Sequence, residues 1–402
     1  METLSMMSKY NTDVIAEVKD AQSKDGAILV INLAADDADA PINEHLVKTQ
    51  GEKLVAAAKK MADGIGAEEI YVVAPDGIKL DLPNAKAVTV KRSLVLREES
   101  ALYNIIATGE LRSCPLEKEF PSEGLEGKPT VAVDGETLYK IGNGESYNDG
   151  EKLISIISEN EKKIVSVKVG TKLSEVLDAN GLKTEKPILL GGVTGRFVAT
   201  SEASNIEIGF DALYDSVTVL GDSNCAVDLT MRMMGAAAEE SCTKCVICRE
   251  GTWHLFEIMK DIVAGKGKKD DLDMVLDIGP LIHLGSFCSF GKNMANVATS
   301  SVELNKDEFM AHIQKKQCPA GVCAAFNKTT YCIDPTLCTG CGDCEDECPE
   351  MAIEGKSKFI YMIDQAMCTG CGDCVDSCDE DAIIVNDGKI KLPKKLTKVG
   401  KF

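Results

Sequence analysis

Ile333-Asp-Pro-Thr-Leu-Cys-Thr-Gly-Cys-Gly-Asp-Cys-Glu-Asp-Glu-Cys-Pro-Glu-Met-Ala-Ile353 recurs as Ile363-Asp-Gln-Ala-Met-Cys-Thr-Gly-Cys-Gly-Asp-Cys-Val-Asp-Ser-Cys-Asp-Glu-Asp-Ala-Ile383, an offset of 30 residues. Each copy holds C-x2-C-x2-C-x3-C. Thiolates at that spacing suit two cubane [4Fe–4S] clusters, with the fourth cysteine of each run serving the other cluster. The spacing therefore assigns Cys338, Cys341, Cys344 and Cys378 to one cluster. Cys368, Cys371, Cys374 and Cys348 hold the second. Three cysteines in one loop wrap a face of the cube, and the glycines let backbone amides approach its sulfurs. Zinc is the competing reading. It takes four tetrahedral ligands, often as two separated C-x2-C pairs, and tandem four-cysteine runs fit that poorly.

The two copies resemble the bacterial two-cluster ferredoxin domain. The first keeps that family's proline as Pro349 and the second has Asp379 there. This difference bears on loop geometry and on one cluster's potential, not on ligation.

Moving outward, the chain has 402 residues, enough for two or more domains, and its 44% hydrophobic content supports real cores. A net charge of −20 disfavours nucleic acid, which needs a basic face, and so do the few aromatics. Seventeen cysteines in an acidic chain whose Met1–Asp20 stretch has no apolar signal core read as reduced, metal-binding thiols in the cytoplasm. The longest apolar run, Ala27–Ala35, is too short to span a bilayer. Direct membrane insertion is not expected.

Residues 1–100 read as a small α/β domain. Ala27–Leu33, Glu69–Ala74 and Ala87–Val90 have strand character, and Glu44–Met61 has helical periodicity. Gly64-Ile-Gly66 lacks the third glycine of a dinucleotide fingerprint and follows a helix, so it reads as a helix end. Residues 101–150, rich in Gly, Pro and Glu, read as an extended connection, with Cys114 an unligated thiol. Within 151–227, Lys163–Val169 is an alternating strand and a helix follows with Thr171 as N-cap and Gly181 as its end. Ile188–Val198 is a strand with a glycine turn; no Lys-Ser/Thr follows Gly195, so a phosphate loop is disfavoured.

Residues 228–317 read as several short helices around Glu240-Ser-Cys-Thr-Lys-Cys-Val-Ile-Cys-Arg-Glu-Gly-Thr-Trp253. Cys242, Cys245 and Cys248 form a three-thiolate loop, and remote Cys288 completes a third [4Fe–4S] set. Arg249 could offset the cluster's charge, or lie at the surface. His254 and His283 could donate to a cluster sulfur, although packing roles are commoner. The basic tail, Lys389 to Phe402, could reach an acidic partner; a solvated tail is the plainer reading.

The run Glu240–Trp253 with Cys288 resembles the iron–sulfur helical domain of the NADH-binding flavoprotein subunit of respiratory complex I. That subunit type also occurs in electron-bifurcating hydrogenases and NAD-dependent formate dehydrogenases. Residues 163–200 resemble the β-grasp (SLBB) domain that precedes it there, and the C-terminal repeat resembles the extra domain of the bifurcating type. The resemblance covers about residues 100–390. It implies a multidomain chain, α/β plus α+β: a degenerate α/β domain (1–100), a connection (101–150), an SLBB-like β-grasp domain (151–227), a helical [4Fe–4S] domain (228–317), a hinge (318–332) and a two-[4Fe–4S] ferredoxin domain (333–402). It also implies a structural zinc at the hinge, held by Cys225, His312, Cys318 and Cys323, with Cys332 the substitute if Cys225 lies too far away.

The family's flavin- and NADH-binding glycine loop, Gly-Arg-Gly-Gly-Ala-Gly-Phe-Pro, is absent, as is its Glu-Gly-Glu-Pro-Gly segment. Only Arg97-Glu-Glu-Ser-Ala-Leu resembles the later Glu-Glu-Thr-Ala-Leu. FMN and NAD are accordingly not expected, because their phosphates need glycine-loop donors. No acid–base or nucleophilic catalytic residue stands out. The favoured expectation is an electron-transfer subunit with a partner flavoprotein or catalytic oxidoreductase subunit, ferredoxin and a thioredoxin-like [2Fe–2S] subunit. The alternatives are an NADH–ferredoxin oxidoreductase with a divergent flavin site and a metal-stabilised assembly scaffold.

Overall fold

The computed structural model describes residues 10, 13–113, 124–326, 329–386, 390–393 and 395–402; Cys114, Lys389 and Lys394 lie outside them. The chain divides into two compact units, Met1–Cys323 and Ala324–Phe402.

The first unit begins with α1 (Val14–Gln22), β1 (Ile28–Asn32), α2 (Ile42–Ile65), β2 (Glu69–Ala74) and β3 (Ala85–Thr89), followed by α3 (Glu99–Thr108), β4 (Thr130–Asp134) and α4 (Gly135–Asn143). All of β1 is buried, as an unbroken apolar run in a parallel sheet demands. The sheet order is β3-β2-β1-β4, and every pairing is parallel. Leu29 and Ile31 pack with Val14, Val18, Leu46, Leu54 and Leu138 on one face; Ile28 and Val30 pack with Leu102 and Tyr103 on the other. α2 ends at Gly66 in the left-handed conformation, so Gly64-Ile-Gly66 is a helix end.

The stretch read as an extended connection, 101–150, departs from that expectation. It carries α3, β4 and α4, and β4 pairs with β1 in full register from Ile28↔Thr130 to Asn32↔Asp134. Asp134 caps α4, its carboxylate accepting from Glu136 N and Thr137 N. The parallel partner that holds β4 lies far back in the chain, where no local period could announce it.

Next come β5 (Glu151–Ile157), β6 (Lys162–Lys168), α5 (Leu173–Ala179), β7 (Ile188–Leu190), β8 (Arg196–Val198) and β9 (Ser216–Thr218). They form a five-stranded mixed sheet, β6-β5-β9-β7-β8, whose core holds Leu173, Val176 and Leu177 of α5. Thr171 is not the N-cap. Its carbonyl accepts from Ile208 N as part of an extended pairing, and α5 starts after Lys172 without a side-chain cap.

A buried charge network joins the two sheets. Lys152 of β5 has no exposed surface, and its ammonium contacts Glu136 at 2.9 Å and Asp215 at 2.5 Å. Asp215 also lies 3.7 Å from Arg97. Asp37 reaches across too, its carboxylate accepting from Val193 N at 3.1 Å.

The unit closes with α6 (Ala226–Glu240), α7 (Val246–Val263), α8 (Asp270–Gly285), α9 (Ser289–Asn293), α10 (Asn296–Leu304) and α11 (Lys306–Ile313). The second unit has β10 (Tyr331–Ile333), α12 (Asp343–Asp346), β11 (Ile353–Glu354), β12 (Met362–Ile363), α13 (Asp373–Asp376) and β13 (Ile383–Val385). β10 pairs with β13 and β11 with β12, both antiparallel. The described end of the tail is not merely solvated. Ile360 N donates to Thr397 O at 2.9 Å and Val399 N to Lys358 O at 3.2 Å. No described helix is long and apolar enough to cross a membrane.

Candidate metal centres

In the second unit each cysteine run supplies three residues to one cavity and one to the other. One cavity is lined by Cys338, Cys341, Cys344 and Cys378, the other by Cys368, Cys371, Cys374 and Cys348. Gly340 and Gly370 stand at φ +74° and +78°, and a Cβ at either would fall 2.6 Å from a carbonyl oxygen, of Phe359 or Thr329. Only glycine fits both conditions.

Asp379 leaves the second loop unaltered. Cys348 N donates to Glu345 O at 3.3 Å and Cys378 N to Val375 O at 3.3 Å; Met351 and Asp381 share φ near +50°.

Two tyrosines escaped the sequence reading. Tyr361 lines the first cavity and Tyr331 the second, their hydroxyls set against Gly342 and Gly372. They stand 30 residues apart, so the repeat begins earlier than its cysteines suggest. Cys332 sits buried in β10 of this second unit, and the hinge ligand group closes without it.

The helical set is built from two helix starts. Cys242 and Cys245 precede α7, Cys248 lies in its first turn, and Cys288 caps α9, accepting from Gly291 N at 3.5 Å. Amide groups at helix starts favour anionic sulfur. Cys248 is close enough to Gly291 that a Cβ there would meet its sulfur at 3.4 Å. Thr243, between Cys242 and Cys245, holds φ +63°, a conformation that is costly for a β-branched residue. Arg249 is exposed, donating to the Thr243 carbonyl at 2.8 Å and pairing with Glu250. His283 Nδ1 bonds the Lys292 carbonyl, and His254 is exposed. Glu98, missed in the sequence, accepts from Ser289 N beside Cys288.

Burial pushes the Cys288 thiol up to about 11, Cys344 to about 12 and Cys374 to about 11. Such thiols ionise at neutral pH only beside a compensating cation, so a metal centre fits these sets.

The hinge set differs in scale. The ligand atoms of Cys225, His312, Cys318 and Cys323, all buried, lie within 4.8 Å of one another. Among the described residues this is the one cluster tight enough for a single ion. Burial alone lowers the His312 pKa, but its bonds to Cys225 and to Glu308 outweigh this and raise it to about 9. His312 Nδ1 is 2.8 Å from Glu308 O, which directs Nε2 to Cys225 and Cys323, each 3.4 Å away. A carbonyl orienting the far nitrogen is how a zinc-bound histidine is held. The hydrogen bond with Cys323, then burial, raises the Cys225 pKa. Three thiols and one imidazole match a closed zinc set.

Residues 228–312 match the NADH-ubiquinone oxidoreductase-F iron-sulfur binding region, and residues 337–383 match the 4Fe-4S dicluster domain. The chain resembles the 51 kDa-type subunits of NADH-quinone oxidoreductases and their hydrogenase counterparts. It is 31% identical to the NADP-reducing hydrogenase subunit HndC of Solidesulfovibrio fructosivorans over 63% of this chain and 56% of that one. It is 28% identical to the second F-type NADH-quinone oxidoreductase subunit of Rhizobium meliloti over 55% of this chain and 59% of that one. The chain thus spans little more than half the length of either relative. In fold it matches a crystal structure of NAD+-reducing [NiFe]-hydrogenase in the H2-reduced state, with a TM-score of 0.68 and 19% identity, over 77% of this chain and 61% of that one.

Proposed function

We propose that the chain is an electron-transfer subunit of an oxidoreductase complex. Three [4Fe–4S] clusters would be held by Cys338, Cys341, Cys344 and Cys378, by Cys368, Cys371, Cys374 and Cys348, and by Cys242, Cys245, Cys248 and Cys288. Bound there, such clusters supply one-electron steps; the protein's part is to set their spacing, hydrogen bonds and burial. The observation that carries the reading is the pair of matched cavities, each lined by three cysteines of one run and the fourth of the other.

The hinge set would hold a structural zinc and do no chemistry. The five-stranded sheet with α5 suits the β-grasp reading of 151–227. The parallel sheet of the first unit would be the reduced counterpart of a flavin domain, with hydride chemistry done by a partner subunit. Other oxidoreductase subunits are the expected partners, since the relatives are named as subunits of hydrogenases and quinone oxidoreductases.

Cofactor content after strictly anaerobic purification tests this. The expected result is about twelve irons per chain from three four-iron clusters, about one zinc and no flavin. Stoichiometric FMN, with NADH bleaching the clusters of the isolated chain, would overturn the reading in favour of an NADH-oxidising enzyme.

A further inference from the structure

Ser286 is 5% exposed, and its hydroxyl has no hydrogen-bond partner among the described residues. A buried hydroxyl without a partner is costly, and native folds keep few of them. Its place is well defined. Ser286 follows the last residue of α8 in extended backbone, two residues before Cys288. It packs against Gly291 so closely that a Cβ there would lie 2.7 Å from the Ser286 Cβ and 2.9 Å from its Oγ. The same Cβ would lie 3.4 Å from Cys248 Sγ. The orphan hydroxyl and a ligand sulfur therefore flank one small space, beside a glycine whose N–H is already given to Cys288 Sγ. Two other hydroxyls stand near Cys248, and both are engaged. Thr252 Oγ1, 4.0 Å from the sulfur, donates to the Cys248 carbonyl. Ser241 Oγ accepts from Thr243 N and has the Cys248 sulfur 3.8 Å away. Of the three, only Ser286 has a proton with no acceptor among the described residues.

We propose that the Ser286 hydroxyl donates a hydrogen bond to a sulfur of the [4Fe–4S] cluster held by Cys242, Cys245, Cys248 and Cys288, and so raises that cluster's reduction potential. The inference rests on the electron-transfer reading and names a side chain that tunes one of its steps. The sign follows from charge. Reduction adds one electron to a cluster already held by thiolates, and a donor to sulfur stabilises the more negative form more than the less negative one. The hydroxyl therefore makes this cluster easier to reduce than its cysteines and backbone amides would leave it. Ser286 touches the cluster without ligating it, which is how hydrogen bonds beyond the ligand set adjust a metal centre.

The test is a redox titration of the full-length chain, purified anaerobically and followed by electron paramagnetic resonance. The signal that disappears in Cys288→Ser marks the cluster to follow. Ser286→Ala removes the oxygen and keeps the Cβ. Its iron per chain should be unchanged, and the reduction equilibrium of that cluster should shift roughly tenfold toward the oxidised form, about 59 mV lower for one electron. The clusters of the second unit should titrate as in wild type. Electron–nuclear double resonance in deuterated water should show one strongly coupled exchangeable proton fewer in Ser286→Ala. Thr252→Val deletes a hydroxyl 4.0 Å from the Cys248 sulfur whose proton goes to a carbonyl, and should leave the potential at its wild-type value. Should Ser286→Ala lose the cluster, Ser286→Thr decides: a regained cluster at the wild-type potential supports the bond, and a lowered potential or no cluster overturns it. An unchanged potential with unchanged proton couplings in Ser286→Ala, as for a hydroxyl satisfied by a buried water, would refute the bond and leave the electron-transfer reading standing. An equal fall in Thr252→Val would also overturn it, since local polarity and not a directed bond would then set the potential. About eight irons in wild type, two four-iron clusters' worth, with no signal that depends on Cys288, would sink the underlying reading itself.

Discussion

Lys152→Met should destabilise the first unit severely. Its ammonium has no exposed surface and lies between two buried carboxylates, Glu136 at 2.9 Å and Asp215 at 2.5 Å, with Arg97 at 3.7 Å from Asp215. The quartet holds two positive and two negative groups and is neutral. Methionine fills much of the volume but leaves one uncompensated buried charge, for which a loss of about 3–5 kcal/mol is the ordinary consequence. At about 2–4 °C per kcal/mol for a large domain, the melting temperature should fall by roughly 6–20 °C. Glu136→Gln added to Lys152→Met restores neutrality, with Arg97 still facing Asp215. The double variant should therefore recover much of the loss, a strong departure from additivity. Anaerobic thermal unfolding followed by circular dichroism, with iron content as a control, reads both effects. A Lys152→Met loss under about 1 kcal/mol, or strictly additive variants, would refute the claim that this network clamps the two sheets, because breaking a buried pair cannot be so mild.

Cys338→Ser combined with Cys378→Ser should lose no more iron than Cys338→Ser alone, whereas Cys368→Ser with Cys378→Ser should damage both clusters; the reverse pattern would show that the fourth cysteines are not exchanged. His312→Ala should remove the zinc and leave iron unchanged, read by elemental analysis; retained stoichiometric zinc would exclude the hinge ligand set. Burial, then the charge and hydrogen bond of Glu99, holds the Glu17 carboxyl protonated far above the ordinary range. Above about pH 4.5 the folded state then keeps a proton that the unfolded chain gives up, so stability falls by up to about 1.4 kcal/mol per pH unit. Glu17→Gln should flatten that fall and raise the urea midpoint at pH 8 more than at pH 5; parallel pH profiles would contradict it.

What could be read from the sequence follows the range of the interactions. Three cysteines in one loop are a local pattern, and the second copy told where the fourth belonged. Cys225 and His312 meet across 87 residues, so only resemblance could pair them. β4 was lost in a Gly- and Pro-rich surround because its support is a parallel neighbour near the chain's start. Lys140 and Lys152 are fully buried although composition places lysine at the surface; both ammonium groups lie against the Phe210 ring, at 4.7 and 5.2 Å, in a setting made only by tertiary contacts. Thr171 had the right chemistry for a cap, but its backbone pairs with Ile208 in an extended stretch and the helix starts only after Lys172.

The same reasoning makes metal binding part of folding in the second unit. Its core is small: Ile333, Ile353, Ile360, Tyr361, Ala382 and Ile383, completed by Cys338, Cys344 and Cys374. Its two sheets have only two strands each, too little to stand alone in water. A third of that core is thiol, and burial holds Cys344 and Cys374 in the protonated form unless a cation draws the proton off. The first unit has instead a parallel sheet with two packed faces, whose core contains no cluster ligand. Destroying the clusters with ferricyanide should therefore open residues 324–402 to trypsin while the sheet of the first unit stays protected. Cleavage sites mapped by mass spectrometry would show the difference within one chain. Equal protection of both units after loss of all iron would mean that the apolar residues alone suffice, and that the cysteines serve electron transfer without serving the fold.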